Sequence, residues 1–116
     1  MSTVAKIALE IQQGADFVRR FIWKNAAKKP INLTGYSARL QLRDAVGGTV
    51  LAELSTDNGG IALGGAAGTV TVSIPGAETA LYSFKSAVYD MLLTGPSGSR
   101  RRLVEGKVTV SPAVTV

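Results

Sequence analysis

Apolar and polar residues alternate through most of this chain in short runs, and each run is closed by a cluster of glycine, proline, asparagine or aspartate. Alternation with a period of two predicts half-buried strands, and the clusters predict turns. The clearest run is 37–43, with Ala38, Leu40 and Leu42 on one side and Ser37, Arg39, Gln41 and Arg43 on the other. A helix would scatter those polar residues around its circumference. Residues 6–12 place Ile7, Leu9 and Ile11 together, and 69–74 place Val70, Val72 and Ile74 against Thr69, Thr71 and Ser73. Further strands are expected at 49–54, at 61–63, at 86–94 (Ala87, Tyr89, Met91 and Leu93 inward) and from Arg101 onward, where Val104, Gly106, Val108 and Val110 form the inner row. Pro112 ends the last one.

Two segments depart from this pattern. Residues 17–23 are apolar on both faces (Phe17, Phe21 and Trp23 against Val18 and Ile22), which predicts a strand covered, at least in part, on both sides. Residues 75–82 are the one helical candidate, a turn or two, with Pro75 in the first turn and Ala77, Glu78, Ala80 and Leu81 following. Read as a connector between sheets, that piece completes an all-β chain. The fold expected is an antiparallel two-sheet β-sandwich, Ig-like or jelly-roll-like, of about eight strands with one short helical connector; a closed barrel is the second arrangement.

Length fits one domain, residues 1–116, with 111–116 an extended C-terminal tail available to a neighbour. The chain has no cysteine, so neither disulfides nor thiolate metal sites enter. No apolar run approaches the roughly 20 residues of a membrane-spanning helix, and Met1-Ser2-Thr3-Val4-Ala5-Lys6 lacks the basic-then-apolar pattern of a secretory signal. A soluble product of the cytoplasm, with no membrane partner, is expected.

Histidine is also absent, which removes the commonest general base and metal ligand. Asp90 interrupts an apolar run, and Glu105 is its only nearby candidate for the paired carboxylates of glycoside hydrolysis. An outward-facing aspartate explains Asp90 more simply. Asp57-Asn58-Gly59 resembles the start of a calcium loop without its remaining ligands. The glycines of 59–68 lack the lysine and helix of a phosphate-binding loop, so turns account for them. No catalytic, cofactor or metal residue is expected, and the chain reads as a non-enzyme needing no cofactor.

Charge gives the one candidate surface. Lys and Arg number 13 against 8 Asp and Glu, and Arg100-Arg101-Arg102 stand together beside a hairpin loop, with Lys28 and Lys29 adding charge elsewhere. Alternation allows only Arg100 and Arg102 to share a face. Plain solubilising charge is the commonest reason for such a run, an acidic protein surface the next, and nucleic-acid phosphate the last, since aromatics for base stacking are scarce. Arg100, Arg101, Arg102, Lys28 and Lys29 are therefore the candidate protein-contact residues.

Several stretches, taken in order, resemble small virion proteins of tailed bacteriophages. They are Ile11-Gln12-Gln13-Gly14-Ala15-Asp16-Phe17 with Phe21-Ile22-Trp23; Pro30-Ile31-Asn32-Leu33-Thr34-Gly35-Tyr36 leading into Ala38-Arg39-Leu40-Gln41-Leu42-Arg43; Ala87-Val88-Tyr89-Asp90-Met91-Leu92-Leu93-Thr94; and Leu103-Val104-Glu105-Gly106-Lys107-Val108-Thr109-Val110. The ordered set is similar to the N-terminal β-sandwich domain of phage baseplate upper proteins and related short tail-region proteins. That resemblance implies a structural domain of the virion, made in the host cytoplasm. It would dock, in many copies, onto other phage structural proteins of the tail, baseplate or fibre-attachment apparatus. Baseplate upper proteins continue into a long C-terminal part that binds receptor-binding proteins, and this sequence stops after the sandwich.

The alternative is a head decoration or cementing protein on the capsid lattice. From a different class, a carbohydrate-binding module would need an exposed aromatic platform, for which Trp23, Tyr36, Tyr82 and Tyr89 are the candidates.

Overall fold

Nine strands form among residues 5–115, the part of the chain that the computed structural model describes. In chain order they are β1 (Ala5–Lys6), β2 (Leu9–Gln12), β3 (Phe17–Ile22), β4 (Ser37–Arg43), β5 (Val50–Ser55), β6 (Ile61–Leu63), β7 (Thr69–Ile74), β8 (Ser86–Thr94) and β9 (Arg100–Ser111). One sheet runs β1–β9–β8–β4–β5, with β2 continuing along β9 beyond β1; the other runs β3–β7–β6. This is the strand order of the variable-type immunoglobulin sandwich, in which B, E and D form one sheet and G, F, C and C′ the other. It decides between the two sandwich types expected. No strand stands beside β3, where the immunoglobulin order places strand A, among the described residues.

The core is made by the inward rows that alternation picks out. Ala38, Leu40 and Leu42 of β4 and Ala87, Tyr89, Met91 and Leu93 of β8 face Val70, Val72 and Ile74 of β7. Val104, Val108 and Val110 of β9 and Leu33 from the β3–β4 connection close it. Burying a side chain such as Leu40 or Met91 contributes about 2 kcal/mol.

Three features differ from the sequence expectation, each for a local reason. The first strand is split, and its halves pair with β9 in parallel, Ala5 opposite Val104 and Leu9 opposite Val108, so the larger sheet is mixed. Its interruption at Ile7 has a cause in the core. The Tyr89 hydroxyl donates to the Ile7 carbonyl at 2.7 Å, and Gly106, lacking a side chain, lets that backbone close in.

The connector α1 (Gly76–Thr79) is a single turn, and Pro75 caps it in extended conformation instead of entering it. Thr79 is fully buried there; its hydroxyl donates to the Ala15 carbonyl at 2.8 Å and accepts from the Gly14 N–H at 3.0 Å. The crossover is thereby stitched to the β2–β3 turn. Finally, β3 is not covered on both sides: Val18 and Ile22 stand 65% and 52% exposed. Their apolar character is unexplained by packing within the chain.

The outer edge of β5 is capped at its C-terminal end by one side chain. Thr56 N–H donates to the Ala38 carbonyl, so by alternation the main-chain groups of Glu53 and Ser55 point away from β4. Asn58 takes both: its Oδ1 accepts from Ser55 N–H at 2.9 Å, and its Nδ2 donates to the Glu53 carbonyl at 3.0 Å. A single carboxamide stands where a neighbouring strand would pair. Asn58→Ala is expected to cost about 1–2 kcal/mol and to raise self-association, read by denaturant unfolding and sedimentation velocity. An unchanged monomer fraction would show that the carboxamide does not guard the edge.

The C-terminal segment turns back on the body at its start. Ala113 N–H donates to Gln13 Oε1 at 2.9 Å, while Val114 is fully exposed. The extended tail expected at 111–116 thus begins anchored beside the β2–β3 turn. Residues 1–4 and Val116 lie outside the described residues.

Candidate functional site

A bulge in β9 sets the geometry of the arginine run. Met91 pairs with Val104 but Leu92 with Arg102, so Leu103 is the extra residue and packs against the core. Arg100 and Arg102 then lie opposite Thr94 and Leu92 on the outer face, and Arg101 lies opposite inward-facing Leu93. The run is divided between two faces, as alternation requires.

Each arginine has a different setting. Arg102 is held by two carboxylates, Asp90 at 3.4 Å and Glu105 at 3.2 Å. Asp90 and Glu105 face each other directly across the β8–β9 ladder. Two carboxylates directly opposite would repel; the Arg102 guanidinium bridges them. The arrangement is an exposed ion-pair cluster with the cation supplied by the chain itself, and each bond in it contributes about 0–1 kcal/mol. Along the same outer face, Glu53 binds Arg39 at 3.2 Å and Gln41 at 2.9 Å, and Arg43 donates to Gln41 at 2.8 Å. A shallow open groove runs past Gln41, Arg43 and Val88 to Lys107, with Asp90 and Glu105 among its lining residues. Nothing in it pairs a nucleophile with a base.

Arg100 lines a separate shallow cleft with Arg39, Thr56 and Asp57. Arg101 faces the end of the sandwich where the β3–β4 connection meets the β8–β9 hairpin. There Gly35 approaches Pro96, and Trp23 meets Tyr36 edge to face with ring centroids 6.2 Å apart. Arg101, Trp23, Lys24, Ile31, Tyr36 and Leu103 line the resulting cleft.

Lys28 and Lys29 do not line this cleft; they sit on the loop that rises from its rim. Asn25 closes that loop, its Oδ1 accepting from Lys29 N–H at 3.1 Å and its carbonyl from Lys28 N–H at 2.9 Å. Lys28 takes the left-handed conformation there (φ 64°). The five cations expected to make contacts therefore form no single patch. The loop of Lys28 and Lys29 and the start of β9 share one end of the sandwich, the end whose B–C and F–G loops carry binding in variable-type domains.

The other candidates resolve into structural roles. Asn58 of the calcium-like triplet is the β5 edge cap, and no group of three or more acidic, histidine or cysteine ligands occurs among the described residues. Gly68, in the glycine-rich stretch, has φ 69° and backs onto the Trp23 and Ile31 main chains, where a β-carbon would come within 2.8 Å of the Trp23 carbonyl oxygen. Tyr89 is buried, Trp23 and Tyr36 are half-buried edge to face, and Tyr82 pairs with Phe84 at 4.9 Å. These rings make no common flat platform. Burial, with repulsion from Glu78 as a lesser cause, pushes the Tyr82 hydroxyl above its ordinary pKa.

No family model matches the chain, and no curated protein matches it. Among solved structures it is similar to the extracellular domain of the voltage-gated sodium channel beta4 subunit, described in parallel homodimers that explain a role in cell–cell adhesion. The match spans 98% of each chain at 8% identity with a TM-score of 0.49. A likeness of that degree assigns no function.

Proposed function

We propose that this chain is a non-enzymatic structural protein of a tailed-phage virion, docking in the tail, baseplate or fibre-attachment apparatus through protein–protein contacts. The ordered resemblance from about Ile7 to Val110 suggests the virion setting. The observation that carries a docking role is the loop end, where the β3–β4 connection bearing Lys28 and Lys29 rises beside a cleft lined by Trp23, Lys24, Tyr36 and Arg101. Arginine and aromatic side chains are the types enriched at protein interfaces. An acidic protein surface suits this end better than nucleic acid. The two rings meet edge to face, half-buried, and offer no stacking face.

Immunogold electron microscopy of the parent virions, with antibody against this domain, tests the reading. Label at the tail or baseplate is the expected result, and label over the head would move the assignment to a decoration protein. Particles without label and without this chain by mass spectrometry would overturn both. Within labelled particles, reversing Lys28, Lys29 and Arg100 to glutamate is expected to lower incorporation by about tenfold or more, because like charge across an interface is costly. Unchanged incorporation would move the docking surface away from the loop end.

A further inference from the structure

We propose that the free edge of β3 is a docking site for an extended, acidic segment of another protein, which adds to the β3–β7–β6 sheet as a fourth strand. The proposal rests on the reading that the chain works by protein contact, and it names the element that makes the contact.

Hydrogen-bond alternation shows which groups are on offer. Trp23 N–H donates to the Gly68 carbonyl, in register with Ile22 opposite Thr69. In an antiparallel ladder the bonded pairs recur every second residue, so Phe21, Arg19 and Phe17 turn their main-chain groups toward β7. The β6 side agrees: Gly64 N–H donates to the Thr69 carbonyl and Ser73 N–H to the Gly60 carbonyl, leaving Val70 and Val72 for β3. The N–H and C=O of Val18, Arg20 and Ile22 therefore point to the open edge. The side chains of the same three residues stand on the outer face, all exposed, in the order apolar, cationic, apolar.

Comparison with the other edges isolates this one. The β5 edge is capped at its C-terminal end by Asn58, β6 has only three residues, and the β1–β2 edge is interrupted at Ile7. At β3 six regular residues carry no cap among the described residues, at the position where an immunoglobulin sandwich has strand A.

Glu10 and Asp16 line a groove beside Phe17, Val18 and Arg19, so the charge that selects the occupant is that of Arg20 on the outer face, between Val18 and Ile22. Arg20 lies on the outer face, and Arg19, in the inward row, is drawn over the Phe21 ring at 5.6 Å. Two such edges brought together would set arginines against arginines, which disfavours a second copy of this chain. The same arginines favour a strand with carboxylates opposite them and apolar residues opposite Val18 and Ile22, joined by strand addition.

The probe is an acetylated, amidated peptide alternating valine or threonine with glutamate, compared with its lysine counterpart. Site-resolved amide exchange should show new protection at Val18, Arg20 and Ile22 with the glutamate peptide and none with the lysine one. Arg19 and Phe21, already bonded to β7, should not change. Val18→Pro removes one edge donor at an exposed position where an edge strand tolerates proline, and should weaken binding roughly fivefold, the equivalent of one hydrogen bond. Arg20→Glu keeps the backbone intact and should reverse the preference between the two peptides, which keeps the test decisive if the proline variant does not fold.

Protection elsewhere, equal binding of both peptides, or concentration-dependent protection without peptide would overturn the proposal, the last by placing a second copy at the edge. Failure to find the chain in virions would leave a positive peptide result standing, so the two readings fail separately.

Discussion

Replacing Gly106 with alanine is expected to lower stability by about 2–4 kcal/mol, although alanine suits a strand better than glycine does. A β-carbon built at this position falls 2.8 Å from the Ile7 carbonyl carbon and closer still to its oxygen. The obstacle is main chain, which no rotamer change can move. Relief requires β1 to separate from β9, and two bonds lie in its path. Ile7 N–H donates to the Glu105 carbonyl at 2.9 Å, and the Tyr89 hydroxyl donates to the Ile7 carbonyl at 2.7 Å.

If β1 moves, a buried tyrosine hydroxyl loses its acceptor, and the cost of that unmade bond adds to the cost of the displaced strand. For a domain of this size the melting temperature should fall by about 10 °C. Urea unfolding of the variant gives the free energy directly. A loss below about 1 kcal/mol would mean that Ile7 does not approach Gly106 this closely. Because Gly106 and Tyr89 act through the same carbonyl, Gly106→Ala and Tyr89→Phe should be less than additive, with a coupling of about 1 kcal/mol or more in a double-mutant cycle.

The inward rows of β4, β7 and β8 were legible in the sequence because a period of two leaves little choice when one face is buried. The break at Ile7 was not. It depends on a tyrosine 82 positions away and on a glycine in the neighbouring strand, and residues 6–12 alone read as an unbroken alternation. The parallel pairing of β1 and β2 was hidden for the same reason, since alternation fixes faces and not strand direction.

A β8–β9 hairpin allows Asp90 and Glu105 to be near each other, but their register depends on the bulge at Leu103, and Arg102 reaches both carboxylates only because of it. Asn58 carried a turn signal, which was correct; its second role as an edge cap depends on where the β5 main chain faces. The apolar outer face of β3 is a case where local pattern and tertiary structure disagree. Val18 and Ile22 look buried in sequence and are exposed in the isolated chain. A conflict of that kind is where a functional contact is most usefully sought.

Alkaline titration should expose the most consequential ionisable group in the core. Burial pushes the Tyr89 hydroxyl from 10.0 up to about 12, with Arg19 pulling weakly the other way. Tyr89 is 4% exposed and its hydroxyl is bonded to the Ile7 carbonyl, so the phenolate would lose water and face an acceptor that can no longer be donated to. The folded state thus holds this proton more tightly than the unfolded chain, and stability falls as pH rises through that window. The contribution is fully present below pH 10 and lost progressively as pH approaches and passes about 12.

The loss should reach about 1 kcal/mol at pH 11 and about 2 kcal/mol at pH 12. Tyr89→Phe keeps the ring and removes the proton. Near pH 7 it should cost about 1–2 kcal/mol, because the Ile7 carbonyl loses its donor. As pH rises the wild-type chain declines toward the variant, whose own alkaline slope retains only Tyr82 and the other shared groups. The two stability curves should therefore meet near pH 11 and cross by about pH 12. Chemical unfolding at half-unit steps from pH 9 to about pH 12 measures both curves. Parallel curves throughout would show that the Tyr89 hydroxyl is as free to ionise in the folded chain as in the unfolded one.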